Sequence, residues 1–185
     1  MKSLTHLRVA SGYSFKYGTA HADQLVERAA EFEMSALALT DINTMAGAIR
    51  FTKSCEANGI APILGINLSF VQKKYRITLL AQGGHLDSLY RLVTAVNLDN
   101  SESLLTHALL ERFSQYSRNL LVLHGPESQL ASTIAARKGA EALSIFNSTR
   151  ELFADQGLEC VSHFNSRRCP ILDLACSANT GLCQR

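Results

Sequence analysis

The chain is 185 residues long, 46% apolar and 18% charged, with a formal charge of +2. That is enough for one domain of ordinary size with a real hydrophobic core, and the composition excludes a disordered chain. So small a charge does not argue for nucleic-acid binding by field alone. No apolar run is long enough for a signal peptide or a membrane span.

In chain order, LTHLRV (residues 4–9) reads as a strand that ends in alternating His6, Arg8 and Ala10, followed by a Ser-Gly-Tyr-Ser loop. The segment 22–32 places Ala22, Leu25, Val26, Ala29 and Phe32 on one helical face, with Asp23, Glu27, Arg28 and Glu31 opposite. SALALTD (35–41) is too apolar for a half-exposed strand and reads as a buried parallel one. A second helix is predicted over 44–58, stopped by Asn58-Gly59. Residues 60–71 form the next strand, and YRITLLAQ (75–82) returns beside it, with KKYR (73–76) as a solvated turn. Helical periodicity covers 86–96 and 104–115, NLLVLHG (119–125) is another buried strand, and helices follow at 127–137 and 139–154. GLECVSHF (157–164) reads as a strand and 171–180 as a short helix.

Strand and helix alternate from end to end without repeat or linker, which predicts a single α/β domain over 1–185 with a largely parallel sheet. Chemistry in such folds sits where the strands end. Those positions are Arg8 to Tyr17, Asp41 to Thr44, Asn67, His124 to Glu127, and His163. Cys55, Cys160, Cys169, Cys176 and Cys183 never form a CxxC pair. Pro170 and Gly181 interrupt the regular spacing of the last three, so reduced thiols are expected rather than a zinc site. His6, His21, His85 and His107 read as structural or solvated side chains, His21 as a helix cap.

HLRVASGYSFKYG, then ADQLVERAAEFEMSALALTDINTMAGAIRF, then NGIAPILGINLSF resemble the opening of bacterial DNA polymerase III alpha subunits, replicative or error-prone. That region is the polymerase and histidinol phosphatase (PHP) domain. YRITLLAQ and NLLVLHGPES continue the resemblance more weakly. It implies a PHP-type distorted (β/α) barrel with mostly parallel strands. In intact members a His, Asp, Glu and Cys cluster binds zinc, manganese or magnesium at the strand ends.

Carried over residue by residue, the ligands are missing. The family's paired histidines fall on Arg8 and Ala10, its loop aspartate on Tyr17, and the histidine after LTD on Ile42. The acidic residue of the third strand falls on Asn67, and the ligand after the fourth falls near Pro126. Asp41, His124 and His163 are the candidate remnants. Alanine, isoleucine and proline donate nothing, and an arginine brings a permanent cation into the metal's place. No catalytic residue, metal or cofactor is therefore expected, and Arg8 is expected to pair with Asp41 instead.

The family domain continues past Arg185, so the resemblance implies an incomplete barrel with an exposed sheet edge. The polymerase carboxylates lie further on still, and this chain alone is expected to be inactive. It implies a non-catalytic, cytoplasmic replication scaffold. Its partners would be the rest of the polymerase subunit, other replisome proteins and a proofreading exonuclease, with DNA reached only through the full polymerase. The alternatives are a metal-dependent phosphoesterase or 3′–5′ exonuclease, and a free-standing, metal-free binding protein.

Overall fold

A computed structural model describes residues 5–70, 75–83, 85–98, 119–152 and 158–159. The elements are α1 (Ala22–Glu31), β1 (Ala36–Ile42), α2 (Ala48–Ala57), β2 (Ala61–Phe70) and β3 (Tyr75–Ala81). They continue with α3 (Leu86–Leu98), β4 (Leu120–Leu123), α4 (Gln129–Ala135), α5 (Gly139–Leu152) and β5 (Leu158–Glu159). One sheet runs in the order β1-β2-β3-β4-β5. β1 and β2 pair in parallel, as do β4 and β5, while β3 is antiparallel to both of its neighbours. All strands but β3 therefore share one direction, as the mostly parallel reading requires.

Alternating side chains split β1 between two apolar layers. Leu37 and Leu39 pack with Ala22, Val26 and Ala29 of α1, Phe51 and Cys55 of α2, and Ile60. Ala38 joins Leu80 and Leu123 in a separate cluster. A further core holds Ile66, Leu68, Ile77, Leu79, Leu89, Leu92, Leu120 and Val122. Gly65 is needed where β2 crosses this packing, because a Cβ there would lie 2.5 Å from the Leu79 carbonyl oxygen.

The structure corrects three expectations. The segment 4–9 is not a regular strand where described: it makes one parallel bridge, His6 to Leu37. The amides of Ala38 and Thr40 donate to the carbonyls of His6 and Val9, so one extra residue on the outer segment breaks the ladder. The second helix starts at Ala48 rather than 44, because Asn43 takes a left-handed φ of 54° and the chain turns before it can coil. Phe32 does not join the buried face of α1. It follows the last helical residue, is 60% exposed, and carries the Arg28 guanidinium 4.5 Å over its ring. The predicted helices over 104–115 and 171–180 lie outside the described residues, as does most of strand 157–164.

Candidate functional site

Two polar clusters occupy the carboxyl edge of the parallel strands. The first is built on Asp41, near the end of β1 and only 1% exposed. Its Oδ1 accepts from the Ser11 amide at 2.7 Å and the Ser14 hydroxyl at 2.6 Å, and its Oδ2 accepts from the Ser11 hydroxyl at 2.7 Å. The Ser14 oxygen also accepts from the Ile42 amide at 3.0 Å. Arg8 is no partner of this carboxylate, which corrects the expected ion pair. Short hydroxyls and a backbone amide reach a buried carboxylate without bringing in a second charge to desolvate.

The loop that supplies those donors closes tightly. The Gly12 amide donates to the Ala20 carbonyl at 2.8 Å, and the Ser14 amide to the Ser11 carbonyl at 2.9 Å. A Cβ on Gly18 would fall 1.9 Å from the Ser11 carbonyl oxygen, so only glycine lets the loop return.

The second cluster is charged. Arg8 and Arg76 both bind Oε2 of Glu127, Arg76 at 3.3 Å. Each arginine side chain is 22% exposed and the glutamate 38%. Because β3 runs against its neighbours, its first residues lie at the edge where β2 and β4 end. That antiparallel return delivers Arg76 here, and its amide donates to the Glu127 carbonyl at 2.9 Å. Arg76 also stacks 4.7 Å over the Tyr17 ring. Gly125 leaves room for Arg8, since a Cβ there would meet Nη1 at 2.8 Å. Two guanidinium groups against one carboxylate leave an excess positive charge.

The remaining predicted positions divide clearly. Asn67 is 2% exposed, pairs in register with Ile42, and accepts the Asn43 amide on its carbonyl at 3.2 Å. Asn43 in turn clamps β2 by bonding Ser69 in both directions, at 2.6 and 2.8 Å. Ala10 brings no donor atom, and Pro126 sits in the turn after β4, beside Glu127. His124 is 6% exposed with neither ring nitrogen hydrogen-bonded, and burial pushes its pKa down to about 4. His163 lies outside the described residues.

Sequence reasoning overlooked Arg76, read as part of a solvated turn, and the Asp41-binding role of Ser11 and Ser14. The antiparallel return of residues 75–82 was the available signal for Arg76. No sequence pattern marks the serines as carboxylate donors.

A multi-metal centre needs several anionic or imidazole donors facing one point. Among the described residues no three His, Cys, Asp or Glu side chains converge in that way. Both Asp41 oxygens are engaged by Ser11 and Ser14, and the neighbouring cluster holds cations. The described residues at this edge do not fit such a centre.

A mixed, mostly parallel sheet whose strands end in this polar edge defines an α/β protein with its candidate site at the strand ends. The PHP domain family matches residues 6–163, and the chain belongs to that family. Its PHP domain is of the kind carried by DNA polymerase III alpha subunits. It is 44% identical over 98 residues to the error-prone DNA polymerase of Symbiobacterium thermophilum, covering 52% of this chain and 9% of that protein. It is 41% identical over 85 residues to DNA polymerase III subunit alpha of Bacillus subtilis, covering 43% and 8%. The corresponding subunit of Caulobacter vibrioides is 29% identical over 168 residues, covering 84% and 15%. The chain thus spans only 8 to 15% of the length of these relatives. A solved amidohydrolase from Chromobacterium violaceum aligns at 20% identity with a TM-score of 0.42, over 61% of this chain and 36% of its own. Among the described residues no helix is long and apolar enough to cross a membrane.

Proposed function

We propose that this chain is a non-catalytic PHP module, a single domain that supports the body of an alpha-type polymerase subunit in cytoplasmic DNA replication. Its partners are the rest of that subunit, other replisome proteins and a proofreading exonuclease docked on the module. DNA reaches it through the full polymerase.

One observation carries the reading: Arg8 and Arg76 share Glu127 at the edge where the family's metal ligands belong. Hydrolysis of a phosphoester by metal-bound hydroxide requires a cation and the donors that hold it. A guanidinium carries only N–H donors and no acceptor lone pair, so Arg8 does not ligate a metal. Asp41 and His124 remain as remnants, one held by serine donors and the other buried without a partner. The module then acts through its surface rather than through chemistry, and no cofactor takes part.

Elemental analysis of the chain purified with zinc and manganese in the medium tests this reading. It is paired with an assay of 3′–5′ cleavage on a labelled oligonucleotide. The expected result is sub-stoichiometric metal and no cleavage. Stoichiometric metal, with cleavage abolished by a chelator, would overturn the proposal in favour of an active phosphoesterase.

A further inference from the structure

The corner that joins α2 to β2 is built on Asn58-Gly59, the only asparagine-glycine pair in the sequence. It closes the helix with a Schellman motif. The Gly59 amide donates to the Glu56 carbonyl at 3.3 Å, and the Ile60 amide to the Cys55 carbonyl at 3.0 Å. The Asn58 side chain adds a bond of its own, from Nδ2 to the Ser54 carbonyl at 2.9 Å. Just beyond, the Ala61 amide donates to the Ser35 carbonyl at 2.9 Å, where the pairing of β1 with β2 begins. Ile60, between these bonds, is 4% exposed and belongs to the same core cluster as Phe51 and Cys55.

Glu56, Ala57, Asn58 and Gly59 are all exposed, so water reaches both the carboxamide and the peptide bond that follows it. Gly59 takes a φ of 68°, and a Cβ placed on it would meet nothing within 4 Å. No side chain of its own and no neighbouring element crowds the Gly59 nitrogen on its approach to Cγ of Asn58. The bond that must open first runs from Gly59 to Glu56. It is the longest of the corner and lies at a helix end, where fraying is easiest. The other described asparagines precede Thr44, Leu68, Leu98, Leu120 and Ser148, whose side chains hinder the same approach.

We infer that Asn58 is a site of spontaneous deamidation, and that its conversion loosens the corner between α2 and β2. The Gly59 nitrogen, having given its proton to solvent, attacks Cγ of Asn58. An N–Cγ bond forms, the Cγ–Nδ2 bond breaks, and Nδ2 takes up a proton and leaves as ammonia. Water then opens the cyclic imide. Cleavage at Cγ leaves aspartate, and cleavage at the main-chain carbonyl leaves isoaspartate. The net change consumes a water and releases an ammonia, and it needs no other reactant. Either product loses the donor to Ser54 and places a carboxylate at the negative end of the helix dipole. Isoaspartate also lengthens the main chain by a methylene, between the bonds that hold Ile60 in the core and Ala61 in register. The corner lies at the amino end of β2, the opposite end from the candidate site, so the inference is independent of whether the strand ends bind metal.

Incubation of the full chain in warm, mildly alkaline buffer, followed by peptide mass mapping, tests it. The peptide carrying Asn58 should gain about 1 Da, as its side-chain amide becomes a carboxyl group, and should resolve into two products. Its conversion should outpace that of every other asparagine in the folded chain, and Asn58→Gln should abolish it. The aged wild type should unfold at a lower urea concentration than the fresh protein, while the midpoint of Asn58→Gln stays unchanged by the same treatment. Asn58→Asp isolates the effect of the charge, and its midpoint should lie below that of the fresh wild type. Asn58 is exposed, so both variants are expected to fold, with circular dichroism as the check. Asn58 left intact in the folded chain while it deamidates in urea would overturn the inference. Full conversion with no change of midpoint would overturn the loosening of the corner.

Discussion

Ser14→Ala should be among the most damaging small changes this chain can take, because one hydroxyl serves two buried partners. It donates to Asp41 Oδ1 at 2.6 Å and accepts from the Ile42 amide at 3.0 Å. A hydrogen bond to a charged group contributes about 1.5–3 kcal/mol and a neutral one about 1 kcal/mol. Asp41 is 1% exposed, so water cannot readily take the place of the lost donor. The expected cost is about 3 kcal/mol, a large part of the roughly 5–15 kcal/mol that stabilises a typical domain. For a chain of this size that corresponds to a fall in Tm of about 6–12 °C. Ser11→Ala should cost a comparable amount, because it removes the hydroxyl that donates to Oδ2 at 2.7 Å and accepts from the Tyr13 amide at 3.3 Å. Urea unfolding followed by circular dichroism measures both variants. In an Asp41→Asn background the effect of Ser14→Ala should shrink by about 1 kcal/mol or more, since the two groups act as a pair. A Ser14→Ala protein within about 0.5 kcal/mol of the wild type, or strict additivity with Asp41→Asn, would refute the clamp.

Gly18→Ala should disrupt folding, because its Cβ would lie 1.9 Å from a backbone oxygen that cannot step aside. A loss of about 3 kcal/mol or more, seen in the urea midpoint or in soluble yield, is expected. Gly125→Ala is the control: its Cβ meets the end of the flexible Arg8 side chain, which can move, and the cost should be distinctly smaller. Glu127→Gln leaves Arg8 and Arg76 side by side without their shared counter-charge. It should cost about 1–2 kcal/mol at low ionic strength and less as salt screens the repulsion. His124 supplies a pH test. Its pKa falls from 6.5 to about 4 through burial, so the unfolded chain takes up that proton first as pH drops. Stability should therefore be fully present above pH 6.5 and fall towards pH 4, by about 3 kcal/mol from this residue. Urea midpoints at neutral pH and near pH 4 should show a shallower fall for His124→Phe than for the wild type; parallel curves would rule out a neutral buried histidine.

Period and composition alone determined much of this protein. The apolar spacing of 22–31 makes a helix whatever it packs against, and a seven-residue run such as ALALTDI has to be buried on both faces. Asn58-Gly59 ends α2 because glycine accepts the φ of 68° found there. The sequence also carried the absence of metal-donor chemistry at Arg8, Ala10 and Ile42, since that depends on residue type and not on position.

Which groups meet was decided by tertiary structure. Arg8 and Asp41 sit near neighbouring strand ends and carry opposite charges, so pairing them was reasonable from the sequence. The loop closing at Gly18 instead brings Ser11 and Ser14 onto Asp41, 30 and 27 residues away. The reversal of β3 brings Arg76 to Glu127 across 51 residues and draws Arg8 into the same pair. Side-chain partners separated so far in sequence leave no local period or spacing to read. Their identity follows from the direction of each strand and the closure of each loop, which only the packed chain sets.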